Sequence, residues 1–89
     1  MIFEGEFLNG KRHGKGKEFD FIDGYILFEG EYLNGYRWNG KVHEYHDFYK
    51  ILIFEGELKY GKRNGKGKEY DDNGRLIFEG EYLNGNKLN

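Results

Sequence analysis

The chain contains no cysteine, so neither disulfides nor thiolate metal sites hold it together, and redox chemistry sets no constraint on its compartment. Proline is absent too, and 15 glycines without proline are neither a collagen pattern nor a proline-rich linker. With no serine, threonine or cysteine anywhere, the commonest covalent catalysts are missing. No apolar run approaches the roughly 20 residues needed to span a bilayer as a helix. Charge of one sign is lacking as well. The 14 Lys and Arg against 16 Asp and Glu leave a formal charge of −2, which gives bulk electrostatics no grip on nucleic acid. Met1 leads within two residues into a patterned segment, leaving no room for a signal peptide, and a cytoplasmic protein is the expectation.

What is abundant is aromatic and glycine. Phe, Tyr and Trp supply 17 of the 89 residues, and a domain this small hides only roughly 60–65% of its unfolded surface, so a few large rings must carry the burial. Phe-Glu-Gly-Glu begins at Phe3, Phe28, Phe54 and Phe78, at spacings of 25, 26 and 24 residues. Each copy continues through Phe7, Tyr32, Leu58 or Tyr82 to a turn glycine, Gly10, Gly35, Gly61 or Gly85. Period-two alternation sends Phe3, Gly5 and Phe7 to one side of an extended strand and Glu4 and Glu6 to the other. Asn9-Gly10 and Asn34-Gly35 tolerate positive φ and read as tight hairpin turns.

Each unit is thus expected to be a β-hairpin. With the turn centred on Asn9-Gly10, Phe3 falls opposite Gly16, Gly5 opposite Gly14, Glu4 opposite Lys15 and Glu6 opposite His13. The third unit sets Phe54 against Gly67 and Glu55 against Lys66. A ring over a cross-strand glycine uses space a side chain would have filled, while acid and base alternate on the other face. The expectation is one all-β domain over residues 1–89, an elongated single-layer antiparallel sheet of about 3.5 stacked hairpins. Repeats run over 3–27, 28–53, 54–77 and, partially, 78–89. The extra residue of the second unit is expected near Trp38, with Val42 where the second glycine should be and no Asp-Gly before Ile51.

The run Phe3-Glu4-Gly5-Glu6-Phe7-Leu8-Asn9-Gly10-Lys11-Arg12-His13-Gly14-Lys15-Gly16 resembles the MORN repeat, as does the stretch from Phe54 to Gly67. The resemblance implies stacked hairpins that serve as a scaffold for protein contacts, sometimes for lipid headgroups, and it implies neither catalysis nor a cofactor.

Two groups of residues are candidates for binding. Tyr36, Trp38, Tyr45, Phe48 and Tyr49 crowd the irregular second unit around the only tryptophan, and Trp and Tyr are the residue types that dominate interface energetics. The basic stretches Lys11, Arg12, Lys15, Lys17 and Lys62, Arg63, Lys66, Lys68 could grip the phosphates of anionic lipid, although nearby glutamates reduce the attraction. Gly61 to Gly67 lacks the Ser or Thr and the helix of a phosphate loop. In a strand, His43 and His46 point to opposite faces, so no metal site is expected. The glutamates, repeating in every unit, read as solvent-facing alternates rather than as an active site. The expected role is a non-enzymatic module for protein–protein interaction as adaptor, scaffold or inhibitor. Anionic phospholipid binding is the alternative and a self-assembling structural module the third reading. A protein partner is expected, nucleic acid is not, and unpaired edge strands offer a route to a homodimer.

Overall fold

Four tight turns set the architecture. At each, two successive residues take positive φ: Asn9 and Gly10, Asn34 and Gly35, Tyr60 and Gly61, Asn84 and Gly85. Two left-handed residues in a row make the turn whose twist matches that of paired strands, so each turn closes a hairpin. The computed structural model describes residues 2–46 and 48–88. Its strands are β1 (Ile2–Leu8), β2 (Lys11–Phe19), β3 (Ile26–Leu33), β4 (Tyr36–Tyr45), β5 (Leu52–Lys59), β6 (Lys62–Tyr70), β7 (Leu76–Leu83) and β8 (Asn86–Lys87). They form one antiparallel sheet in chain order. The sheet is a plate of 40 × 30 × 13 Å, a single layer thick, as the hairpin periodicity predicts.

Connections between units repeat one device. Asp20 Oδ1 accepts from the backbone N–H of Ile22 and Asp23, and Asp71 Oδ1 from those of Asn73 and Arg75. The second unit, which lacks the Asp-Gly, substitutes for both residues. His46 Nδ1 accepts from Phe48 and Tyr49 at 3.2 and 3.4 Å, and Lys50 takes the left-handed position at φ 57° that Gly24 and Gly74 hold elsewhere.

The register differs from the sequence expectation. Gly5 faces Gly16, Phe3 faces Glu18 and Glu4 faces Lys17, two residues beyond the places a regular hairpin assigns. The cause is a bulge in which Glu6 alone spans His13, Gly14 and Lys15. Gly14 turns through φ 74°, and the Glu6 carboxylate clamps the bulge by accepting the Lys15 N–H at 2.8 Å. Gly65 and Glu57 repeat it in the third unit, so Glu55 faces Lys68 rather than Lys66. In the second unit the expected extra residue is there: β4 has ten residues against nine in β2 and β6, the connection from Tyr45 to Leu52 is as long as that from Phe19 to Ile26, and β3 passes the insertion with a one-residue irregularity at Trp38. Gly40 therefore faces Gly30, while Val42 faces Gly56 in the place Gly16 and Gly67 take opposite Gly30 and Gly80.

The rings do settle onto glycine, diagonally across the pairs. A Cβ on Gly16 would lie 2.7 Å from the Phe3 ring and 3.0 Å from that of Tyr32, and one on Gly67 would lie 2.8 Å from Tyr82 and 3.1 Å from Phe54. Edge-to-face contacts join Tyr32 to Phe3 and Phe28, and Tyr82 to Phe54 and Phe78, at 5.0–5.5 Å. Phe28, Tyr32, Val42, Phe54 and Tyr82 are buried on this aromatic face, with Phe3, Leu58 and Phe78 packed against them. The opposite, charged face carries cross-strand acid and base, with Lys17–Glu29 at 3.4 Å and Lys68–Glu79 at 3.8 Å.

Candidate functional site

Two residues after each turn glycine the aromatic face receives a cation, giving Arg12, Arg37, Arg63 and Lys87 across the sheet. The guanidinium of Arg12 lies 4.4 Å from the centre of the Phe3 ring and that of Arg63 lies 3.7 Å from Phe54, so each cation also roofs a core ring. Between successive cations stands a glutamate. Glu18 pairs with Arg12 at 3.4 Å and with Arg37 at 2.8 Å; Glu69 pairs with Arg63 at 3.4 Å and with Lys87 at 3.0 Å. A tyrosine hydroxyl completes each bridge, Tyr32 donating to Glu18 at 2.8 Å and Tyr82 to Glu69 at 2.7 Å.

The electrostatics of this ladder are those of a fixed network. Glu18 is only 3% exposed, which corrects the expectation that the glutamates are all solvent-facing. Burial pushes its carboxyl up, but the hydrogen bonds from Arg37 and Tyr32 and the charges of Arg37 and Arg12 outweigh this and hold it below its ordinary value. Burial and the Glu69 carboxylate push Tyr82 up to about 12, and Tyr32 is raised by burial and Glu18.

The ladder breaks in the middle. Between Arg37 and Arg63 the tyrosine position is Leu58, and the glycine beneath it is Val42. Two changes are coupled here: Val42 has a side chain where Gly16 and Gly67 leave room for a ring, and Leu58 has no ring to put there. The packing closes, but the phenol is lost. Glu44, the counterpart of Glu18 and Glu69, is bonded to Arg63 at 3.2 and 3.3 Å and, among the described residues, receives no tyrosine hydroxyl. An open hollow of about 840 Å³ remains, floored by Val42 and Leu58, rimmed by Arg37, Glu44 and Arg63, and walled on the turn side by Leu33, Tyr36 and Trp38.

Of the five aromatic candidates, the structure brings Tyr36 and Trp38 to this hollow, Trp38 half-buried against Tyr60 at 5.6 Å. The others sit elsewhere, which corrects the expectation of one cluster. Tyr45 ends β4, roughly 30 Å from Tyr36 at about 3.3 Å per residue, and stacks on Tyr25; Phe48 and Tyr49 project from the next connection, 82% and 67% exposed. The basic stretches do not gather either. Arg12 and Arg63 are held on the aromatic face by glutamates, whereas Lys15, Lys17, Lys66 and Lys68 face the other way among glutamates; Lys11 and Lys62 are exposed at strand starts. His43 lies 3.7 Å from Glu55 on the charged face, beside a smaller depression of about 520 Å³ over the backbone of Gly56, Gly67 and Gly80.

Sequence reasoning missed Arg37, Glu44 and the ladder itself. A signal existed for both: a cation recurs two residues after every turn glycine, and Glu18, Glu44 and Glu69 each precede an aromatic residue.

The sequence model of the MORN repeat matches residues 3–20 and 54–75, the two units with the full bulge, and the irregular second unit falls outside both matches. No curated protein and no solved structure matches the chain. The MORN repeat is a non-catalytic module that binds proteins or lipids. The two matched segments, which fold into the stacked hairpins of the first and third units, are MORN repeats.

Proposed function

We propose that this protein binds a protein partner on its aromatic face, acting as an adaptor, scaffold or inhibitor, with the central hollow as the anchor point. The observation that carries this reading is the break in the ladder. An apolar floor with three charged groups at its rim and Trp38 and Tyr36 beside it joins the residue types that dominate interfaces to a concave site. Lipid headgroups are a weaker fit, because the arginines of both basic stretches are neutralised on one face and the lysines alternate with glutamates on the other.

Affinity capture from the native host with the wild type and a Trp38→Ala variant tests the proposal. Trp38 is half-buried at a turn, so the variant should keep the β-sheet circular-dichroism spectrum and lose its partner. Retention of the partner by the variant overturns the reading, as does pelleting of the wild type with phosphoinositide vesicles at physiological salt in the absence of any captured protein.

A further inference from the structure

We infer that the hollow is a receptor for a tyrosine side chain of the protein partner, its ring on Leu58 above Val42 and its hydroxyl donated to Glu44. The inference rests on the protein-binding reading and names the anchor that the partner supplies.

The chain itself provides the template. In the two intact bridges a tyrosine lies between successive cations and donates to the glutamate that joins them, at 2.8 Å in one and 2.7 Å in the other. At the third, central place the cation pair Arg37 and Arg63 and the glutamate Glu44 are present while the tyrosine is replaced by Leu58. Glu44 keeps 39% of its side chain in water, and both its oxygens accept from Arg63 alone among the described residues, so each keeps a lone pair for a further donor. Leu58, half-buried over the fully buried Val42, raises the floor with a branched apolar group, and a ring from outside can rest on it without displacing the buried Phe28 and Phe54.

The charges select the occupant. A lysine or arginine would meet the guanidinium groups of Arg37 and Arg63, and a carboxylate or phosphate would meet Glu44 and find both arginines already engaged, Arg37 by Glu18 and Arg63 by Glu44 and Glu69. A phenol carries neither penalty. It offers one donor to the carboxylate and an electron-rich face to the arginines, the same combination that seats Tyr82 with Arg63 5.9 Å from its ring centre. Phenylalanine would fill the floor and leave Glu44 as it is.

The test uses side-chain analogues and nuclear magnetic resonance on the whole chain. p-Cresol stands for tyrosine, 4-methylanisole keeps the ring without a donor, and p-cresyl phosphate stands for phosphotyrosine. p-Cresol should shift the Trp38 indole N–H and the Val42 and Leu58 methyl signals saturably, with 4-methylanisole and p-cresyl phosphate each at least about tenfold weaker, the order of effect of one hydrogen bond to a charged group. Glu44→Ala, at a partly exposed site, should keep the fold and bring p-cresol down to the level of 4-methylanisole. The double substitution Val42→Gly with Leu58→Tyr rebuilds the intact bridge inside the chain and should abolish p-cresol binding. No saturable shift, equal affinity for 4-methylanisole, tighter binding of p-cresyl phosphate, or undiminished binding to the double variant overturns the inference. Should Trp38→Ala abolish partner capture while p-cresol fails to bind, the protein-binding reading stands and the tyrosine anchor falls. p-Cresol binding with no protein captured gives the reverse.

Discussion

Replacing Gly16 by alanine puts the packing account at risk with a single methyl group. Gly16 has ordinary strand dihedrals, so the added Cβ brings no backbone strain and the effect is steric. The methyl would lie 2.7 and 2.8 Å from two atoms of the Phe3 ring and 3.0 Å from Tyr32. Tyr32 cannot yield, because it is 3% exposed and its hydroxyl is bonded to Glu18. Overpacking of this kind costs about 1–3 kcal/mol. Against it stands a gain of about 0.5–1 kcal/mol from a less flexible unfolded chain. The net expectation is a loss of about 1–2 kcal/mol, or about 5–15 °C in Tm for a domain of this size. Urea and thermal unfolding followed by circular dichroism measure it, with Lys17→Ala on the charged face, expected within about 0.5 kcal/mol of wild type, as the control. Adding Phe3→Leu to Gly16→Ala should recover part of the loss, giving a coupling above about 0.5 kcal/mol. A Gly16→Ala protein as stable as wild type would refute the ring-on-glycine packing.

The ladder makes two further predictions. Glu18→Gln removes the anion that Arg12, Arg37 and Tyr32 share and should destabilise by about 2–4 kcal/mol, below the loss for a fully buried pair because both arginines keep roughly a third of their side chains in water. Because the folded carboxyl of Glu18 lies below its unfolded value of 4.5, its stabilisation is present above that pH and is lost as pH falls through the folded value. The variant should therefore show a shallower acid limb in a plot of stability against pH, and an unchanged limb contradicts the assignment. Tyr82 has the opposite sign. Its folded pKa, about 12, lies above the unfolded 10.0, so its stabilisation is full below pH 10 and is lost as pH rises toward 12. In an absorbance titration at alkaline pH Tyr32 and Tyr82 should ionise late and together with unfolding. A single transition near pH 10 with the sheet intact would contradict the buried hydroxyls.

Much of the fold was legible because glycine and asparagine announce the turns and phenylalanine marks the period. The register was not. Alternation is indifferent to a bulge that inserts two residues, and only Gly14 at positive φ with the Glu6 clamp shows that Glu6 spans three residues of its partner strand. The separation of Arg12 from Lys15 and Lys17 could have been read, since residues an odd number apart in a strand lie on opposite faces. The spacing of Arg37 from its turn glycine matched that of Arg12, but its face relative to Val42 and Glu44 could not be read. The irregularity at Trp38 inserts a single residue, which reverses the alternation and brings Arg37 onto the same face as Gly40, Val42 and Glu44. The hollow follows from that reversal and from the coupled exchange of glycine and tyrosine for Val42 and Leu58. Sequence reading registered each of those residues as a separate departure, and only the pairing of β4 with β5 shows that they answer one another.

The most direct measurement is carboxylate footprinting of the protein with its captured partner, using carbodiimide labelling read by mass spectrometry. Glu44 lies on the aromatic face with 39% of its side chain exposed, while Glu29 and Glu79, 52% and 60% exposed, lie on the charged face, so the two surfaces report separately. The account predicts that the partner protects Glu44 and leaves Glu29 and Glu79 labelled as in the free protein. Protection of Glu29 and Glu79 with Glu44 still labelled would place the partner on the wrong side of the sheet and contradict it.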